Sequence, residues 1–180
     1  GRSSKVVGRL TACDTSKSRL DRLRPRLKRA GVTGVKCRII NAHEDCWVAK
    51  QAGKIERVLV DVPCTGMGTW RRDPNMKWLI TPMDLEKFIN LQRHILTNAA
   101  SMLRPGGKLI YATCSLLREE NECQVGWFLG HHTNFRPIPI DKVWAETITS
   151  KPPTSGQNLR LSPATTKTDG FFCAIFVKIL

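Results

Sequence analysis

No apolar run in this 180-residue sequence approaches the ~20 residues that a membrane-spanning helix needs. The opening, GRSSKVVGRL, is basic and has no apolar core, so no secretory signal is visible. No CxxC pair occurs among Cys13, Cys37, Cys46, Cys64, Cys114, Cys123 and Cys173, and this irregular spacing gives a zinc site little support. Without a secretory route a disulfide framework is disfavoured too, and reduced thiols in the cytoplasm are expected. No internal repeat is present. Acid is scarce: 15 Asp and Glu stand against 29 Lys and Arg, a net charge of +14 with a pI near 9.9. Residues 1–36 hold eleven of the basic residues and only two Asp. A polyanionic partner, most simply nucleic acid, follows from that excess; the alternative is a solvated basic face.

What is present alternates short apolar runs with longer helix-period segments, the pattern of an α/β protein with a largely parallel sheet. The length suits a single domain over 1–180. GRLTACD (8–14) reads as a strand ending in an acid. Residues 16–31 read as a helix, because Leu20, Leu23, Leu27 and Ala30 share one face and Gly31 is a natural stop. Pro25 conflicts with that reading and predicts a bend. VKCRII (35–40) is a second strand, before a loop with His43, Glu44 and Asp45. RVLVDV (57–62) is apolar on both faces, as a central parallel strand should be. A helix is predicted over 83–103, closed by Pro105-Gly106-Gly107, then a strand over 108–113. A further helix spans 118–130, with Glu119 and Glu120 at its N-terminal dipole. Residues 149–170 have the composition of a long loop, and 171–180 close with a strand.

Polar residues gather at the carboxyl ends of these strands: Asp14, Asp61, and Thr113-Cys114. In open α/β sheets ligands bind on that rim. Asp14 suits a ribose, or equally a helix N-terminus without a ligand. Asp61-Val62-Pro63-Cys64 sets an acid and a thiol beside a rigid proline, a costly arrangement to bury without a purpose. Either cysteine alone is most simply structural. Cys114, ahead of a helix, would gain thiolate character from the helix N-terminus. Two thiols on neighbouring strand ends form a pair suited to chemistry. In TWRRDPNMKW (69–78), Trp70 and Trp78 interleave with Arg71, Arg72 and Lys77. Phosphate contacts plus stacking surfaces suit splayed or single-stranded RNA; the alternative is a basic loop whose tryptophans pack inward. His131 and His132 read as dipole partners late in a helix.

At LVDVPCTGMGTWRRDPNMKW, LRPGGKLIYATCSLLREENECQV and DGFFCAIFVK the chain resembles the Sun/RsmB-type RNA cytosine-5 methyltransferases of the Nop/Sun family. The resemblance implies a Rossmann-like sheet with helices on both faces and S-adenosylmethionine (SAM) as cofactor. It implies Cys114 as the nucleophile on cytosine carbon 6, and Cys64 as the thiol that assists release of the product. Asp61 would hydrogen-bond the pyrimidine edge and lie near the SAM amino end, Asp14 would hold the SAM ribose, and Asn41 falls near the adenine-contacting position. Arg71, Arg72, Lys77 and Trp78 would contact RNA, ribosomal RNA first and tRNA second; no metal and no membrane are implied. A cytosine-5 DNA methyltransferase is the nearest rival chemistry, but those enzymes use the Pro-Cys thiol and need no Thr-Cys partner. The family's glycine-rich SAM loop, on the first central strand, has no counterpart here. The chain is therefore expected to be the C-terminal larger part of a methyltransferase domain, N-terminally truncated. A non-catalytic RNA-binding fragment of the same fold is the alternative.

Overall fold

A computed structural model describes residues 8–41 and 45–179. The chain divides into two compact units, Gly1–Val48 and Ala49–Leu180. In the first, strands β1 (Leu10–Asp14) and β2 (Val35–Ile39) pair in parallel, with Asp14 opposite Ile39. Helix α1 (Lys17–Arg29) connects them and runs unbroken through Pro25. Ser16 caps it by accepting from the Arg19 N–H, and Leu20 is its buried anchor. Arg26, Lys28 and Arg29 lie in its last turn, where the helix dipole favours cations. Asp45 accepts from the Trp47 and Val48 N–H groups and so opens the short helix α2 (Cys46–Lys50). The expected loop residues His43 and Glu44 lie outside the described residues.

The second unit runs β3 (Ile55–Asp61), α3 (Met76–Leu79), α4 (Pro82–Met102), β4 (Leu103–Thr113), α5 (Glu122–His131), β5 (Phe135–Ile138), α6 (Ile140–Thr147), β6 (Leu159–Leu161), α7 (Pro163–Thr166) and β7 (Phe171–Lys178). Its sheet has the order β3-β4-β7-β5, with β6 also on β7. Only β3 and β4 pair in parallel; β7 is antiparallel to β4, β5 and β6. The expectation of a largely parallel sheet is therefore corrected to a mixed one in this unit. The closing strand inserts beside β4 and reverses direction.

Four other expectations change. β3 is an edge strand of this sheet rather than a central one, and Leu59 is 66% exposed. Strand β4 starts at Leu103, ahead of Pro105-Gly106-Gly107, because Leu103 pairs with Ile55 across an irregularity in register. The helix expected from 118 begins at Glu122, after a single 3-10 turn over Arg118–Glu120. The loop expected over 149–170 contains β6 and α7. Elements β5 and α6 have no counterpart in the sequence reading. Pro137 inside β5 and the shortness of both elements mask their periodicity.

Helix α4 has a strong start. Thr81 and Asp84 form a reciprocal capping box, and Pro82 takes a first-turn position where its missing N–H costs nothing. Its buried Leu96, Ala99 and Ala100 pack with Leu109, Tyr111, Phe172 and Phe176. On the sheet, Leu109 lies opposite Phe176, Tyr111 opposite Ala174 and Thr113 opposite Phe172, so alternate residues of both strands line one face. Phe128 of α5 closes the core against Phe135 and Phe176 at ring separations of 5.1 and 4.8 Å. Among the described residues no helix is long and apolar enough to cross a membrane. Phe128, 0% exposed, is the keystone of this layer. Phe128→Ala is expected to cost about 3–5 kcal/mol, measured by urea unfolding; a loss below about 1 kcal/mol would show that the core closes without it.

Candidate active site

Parallel pairing of β3 and β4 carries both chains to the same rim, ending at Asp61 opposite Ala112. Beyond it the Val62 N–H donates to the Ala112 carbonyl at 3.2 Å, prolonging the register by one step. The two loops then run side by side. Cys64 Sγ lies 3.4 Å from Cys114 Sγ, and the next residues, Thr65 and Ser115, bring their hydroxyls to 3.3 Å. Two strands thus end in two consecutive matched pairs, thiol with thiol and hydroxyl with hydroxyl.

Buried groups hold this arrangement. The Glu120 carboxyl, 0% exposed, accepts from the Thr65 N–H at 3.0 Å, the Thr65 hydroxyl at 2.6 Å and the Gln92 amide at 3.0 Å. The same Gln92 nitrogen donates to the Pro63 carbonyl, and the Tyr111 hydroxyl donates to the Glu120 carbonyl at 2.6 Å. Asn121 binds the other loop: its Oδ1 accepts from the Thr113 hydroxyl and its Nδ2 donates to the Ser115 carbonyl. One dipeptide, Glu120-Asn121, therefore grips both cysteine loops.

A third segment joins through glycine. The Gly68 N–H donates to the Cys114 carbonyl at 2.9 Å, and the Gly170 N–H donates to the Gly68 carbonyl at 2.8 Å. A Cβ on Gly68 would lie 2.6 Å from Gly170 Cα and 2.7 Å from the Cys114 oxygen, so no other residue fits without moving the backbone. Gly66 has φ +67, the left-handed conformation that glycine adopts freely.

Electrostatics distinguish the two thiols. The pKa of Cys114 is lowered to about 7, chiefly by the hydrogen bond from Cys64, with burial and the nearby Asp61 and Glu120 opposing. That of Cys64 is raised, chiefly by that same hydrogen bond and then by burial. Burial opposes a charge on either sulfur, and the hydrogen bond between them lowers Cys114 while raising Cys64. The expectation of help from a following helix is corrected: α5 begins only at Glu122, and the neighbouring thiol takes that role. Cys173, elsewhere in the sheet, is pushed up to about 11 by burial alone. All seven cysteines are free.

Asp61 is exposed at the rim, not buried as expected, because β3 is an edge strand of its unit. Trp70 turns inward, its indole N–H donating to the Thr65 carbonyl, so it supports the Cys64 loop instead of offering a stacking face. Arg71 and Arg72 both pair with Asp169, at 2.8 and 2.7 Å. Trp78 is 77% exposed with the Lys77 ammonium 4.6 Å from its ring centroid, and Leu79 and Met83 beside it are exposed as well. His131 stacks on Trp127 and its Nδ1 lies 2.8 Å from the Trp127 carbonyl at the end of α5, as a dipole partner should.

In the first unit, Asp14 Oδ1 accepts from the Ser16 N–H at 2.8 Å and lies 3.6 Å from the Arg19 guanidinium. At the carboxyl ends of β1 and β2, Thr15, Ile39, Ile40, Asn41 and Asp45 line an open depression of about 620 Å³. Among the described residues no group of three His, Cys, Asp or Glu side chains is arranged to hold a metal.

Sequence reasoning missed Thr65, Gln92, Glu120, Asn121 and Asp169. A hydroxyl following each cysteine was the available signal for Thr65. Glu120 reads as a dipole residue in sequence, and only the fold reveals that it is buried.

The fold is that of the Rossmann-like methyltransferases. The model for 16S rRNA methyltransferase RsmB/F matches residues 4–177, and the chain belongs to that family. It is 32% identical over 173 residues to ribosomal RNA small subunit methyltransferase B of Shewanella oneidensis, covering 94% of this chain. It is 36% identical to the protein of the same name from Salmonella arizonae, covering 93%. The chain spans 37% and 36% of those relatives' lengths. Among solved structures, NSun6 from Pyrococcus horikoshii, crystallised with SFG, superimposes with a TM-score of 0.78 at 29% identity, over 96% of this chain and 42% of that one. A methyltransferase homologue from the same organism gives a TM-score of 0.74 at 28% identity, over 96% of this chain and 54% of that one.

Glu120→Ala would leave the Thr65 N–H and the Gln92 amide without their buried acceptor. The expected loss is about 1–3 kcal/mol in urea unfolding, and an unchanged midpoint would remove Glu120 from the framework of the site.

Proposed function

We propose that this chain is the catalytic part of a SAM-dependent RNA (cytosine-5) methyltransferase of the cytoplasm, acting on ribosomal RNA, with tRNA the other substrate class to test. The observation that carries this reading is the pair of sulfurs 3.4 Å apart beyond two parallel strand ends, one of them ionising near neutral pH. One catalytic domain made of both units is part of the same proposal, supported by a family model that runs across them.

Carbon 5 of cytosine is too weak a nucleophile to accept a methyl group directly. A thiolate adding at carbon 6 produces an enamine whose carbon 5 is nucleophilic, which divides one difficult step into easier ones. Cys114 forms that bond. Asp61, exposed on the rim, hydrogen-bonds the pyrimidine edge near nitrogen 3 and steadies the charge that develops. Once carbon 5 has lost its proton, that electron pair restores the 5,6 double bond and the Cys114–carbon 6 bond breaks, a release that Cys64 assists.

The first unit suits the adenosine part of SAM. Asp14 Oδ2 has no hydrogen-bond partner among the described residues and is available to ribose hydroxyls, while Ile39, 52% exposed, offers apolar surface in the depression beside Asn41. SAM, when bound, supplies the electrophilic methyl group. Lys77 and Trp78 are open to RNA; Arg71 and Arg72 reach phosphates only by exchanging Asp169 for them.

With SAM and substrate RNA, Cys64→Ala is expected to accumulate a covalent protein–RNA adduct that survives denaturing electrophoresis, and Cys114→Ala to form none. An adduct retained in Cys114→Ala overturns the assignment. RNA binding with neither SAM binding by calorimetry nor an adduct selects the non-catalytic binding fragment. Trp78→Ala is expected to weaken RNA binding by about 1–3 kcal/mol if a base stacks there, read by fluorescence anisotropy. An unchanged affinity removes Trp78 from the RNA surface.

A further inference from the structure

Helix α1 carries more positive charge than its folding explains. Seven of its 13 residues, KSRLDRLRPRLKR, are Lys or Arg, and one is acidic. Cations in the last turn suit the helix dipole. Arg19 and Arg22 stand in the first two turns, where the dipole opposes them, and the first turn holds no acid. Arg19, Arg22, Arg26 and Arg29 recur at steps of three, four and three, which gathers them within about 80° of the helix circumference. Like charges at those steps repel along the helix surface. All four are exposed, on a flank separate from the Leu20, Leu23 and Leu27 face.

Little in the first unit neutralises this ridge. Of the two acids between Gly8 and Asn41, Asp21 pairs with Lys17 at 3.3 Å and Asp14 lies 3.6 Å from Arg19. Arg22 Nε donates to the Ser18 carbonyl, and Arg22, Arg26 and Arg29 meet no carboxylate among the described residues. A face kept only for solubility does not require one residue type. Here the ridge is arginine throughout, while Lys17 and Lys28 fall on the other flank. The planar fork of arginine matches a phosphate, which an ammonium meets only as a point charge. Neither α1 nor the strands beside it contain Phe, Trp, Tyr or His, so no base can stack there.

We propose that the Arg19–Arg22–Arg26–Arg29 ridge of α1 docks the sugar–phosphate backbone of an RNA duplex, read by charge and shape and not by sequence. This rests on RNA being the substrate, as proposed above, and adds a contact of a different kind from Lys77 and Trp78. The ridge runs about 15 Å along the helix, enough to follow several phosphates of one strand. Single strands are held by phosphate contacts combined with stacking, and α1 supplies only the first. A duplex hides its bases and presents phosphates in a fixed array, which suits a rigid row of guanidiniums. Arg22, Arg26 and Arg29 are open to phosphate as they stand, and Arg19 shares its charge with Asp14. Each contact releases counterions, so this affinity falls steeply with salt.

The test measures binding of a fluorescein-labelled RNA duplex of about 16 base pairs by anisotropy across salt concentrations. It compares the unaltered chain with a triple variant, Arg22→Gln, Arg26→Gln and Arg29→Gln. A control of equal charge, Lys50→Gln, Lys142→Gln and Lys151→Gln, changes exposed positions of the second unit. The ridge triple is expected to lower the slope of log affinity against log salt by about one per residue, about three in all. It weakens two unrelated duplex sequences equally, and the control keeps the slope of the unaltered chain. Lysine at the same three positions keeps the charge and restores most of the slope, which separates lost charge from lost fold. Equal loss in the lysine and glutamine triples overturns the proposal. Absence of duplex binding, or binding unmoved by the glutamine triple, overturns it too and turns the ridge over to an acidic protein partner. So does a control that loses as much as the ridge, or a ridge whose loss weakens single-stranded RNA more than the duplex. If duplex binding depends on the ridge but 16S rRNA receives no methyl group from SAM, the proposed function has failed and the docking surface stands. Methylation with ridge-independent binding is the reverse.

Discussion

Burying a carboxyl group is costly unless hydrogen bonds replace the water it loses, and Glu120 meets that requirement with donors from two other segments. Because the donors are the Thr65 backbone and hydroxyl and the Gln92 amide, satisfying Glu120 requires the Cys64 loop to come to one place. The neighbouring Asn121 does the same for the Cys114 turn through Thr113 and Ser115. The position of each sulfur is therefore a consequence of polar groups that must find partners in a dry interior. Loosening either residue would let the sulfurs, now 3.4 Å apart, separate.

Close backbone contact adds the second constraint. Gly68 and Gly170 touch, and the chain of N–H to carbonyl bonds from Gly170 to Gly68 to Cys114 brings the last strand's entry to the Cys114 loop. Asp169, next to that contact, holds Arg71 and Arg72. A segment distant in sequence thereby controls both the backbone at Cys114 and the availability of two cations. Residues near the carboxyl terminus belong to the site as much as the two cysteine motifs do.

Much of this was legible beforehand. The apolar runs located β3, β4 and β7, the helix expected over 83–103 corresponds to α4, and thiols at two strand ends pointed to one rim. The errors have particular causes. Trp70 and Trp78 look alike in a basic loop, yet one is drawn in by the Thr65 carbonyl and the other is left outside. Leu59 has the neighbours of a central residue but lies on an edge strand of its unit. Glu119 and Glu120 are adjacent and chemically identical, and the 3-10 turn exposes one while burying the other.

The sequence by itself determined the class of fold, the family and the identity of the two thiols, because periodicity and short motifs are local properties. Only the tertiary structure decided how close the two sulfurs lie, which cations are already paired and which acid lies inside. Each of those depends on distances of a few ångströms between segments far apart in the chain, and electrostatic and hydrogen-bond energies change steeply over that range.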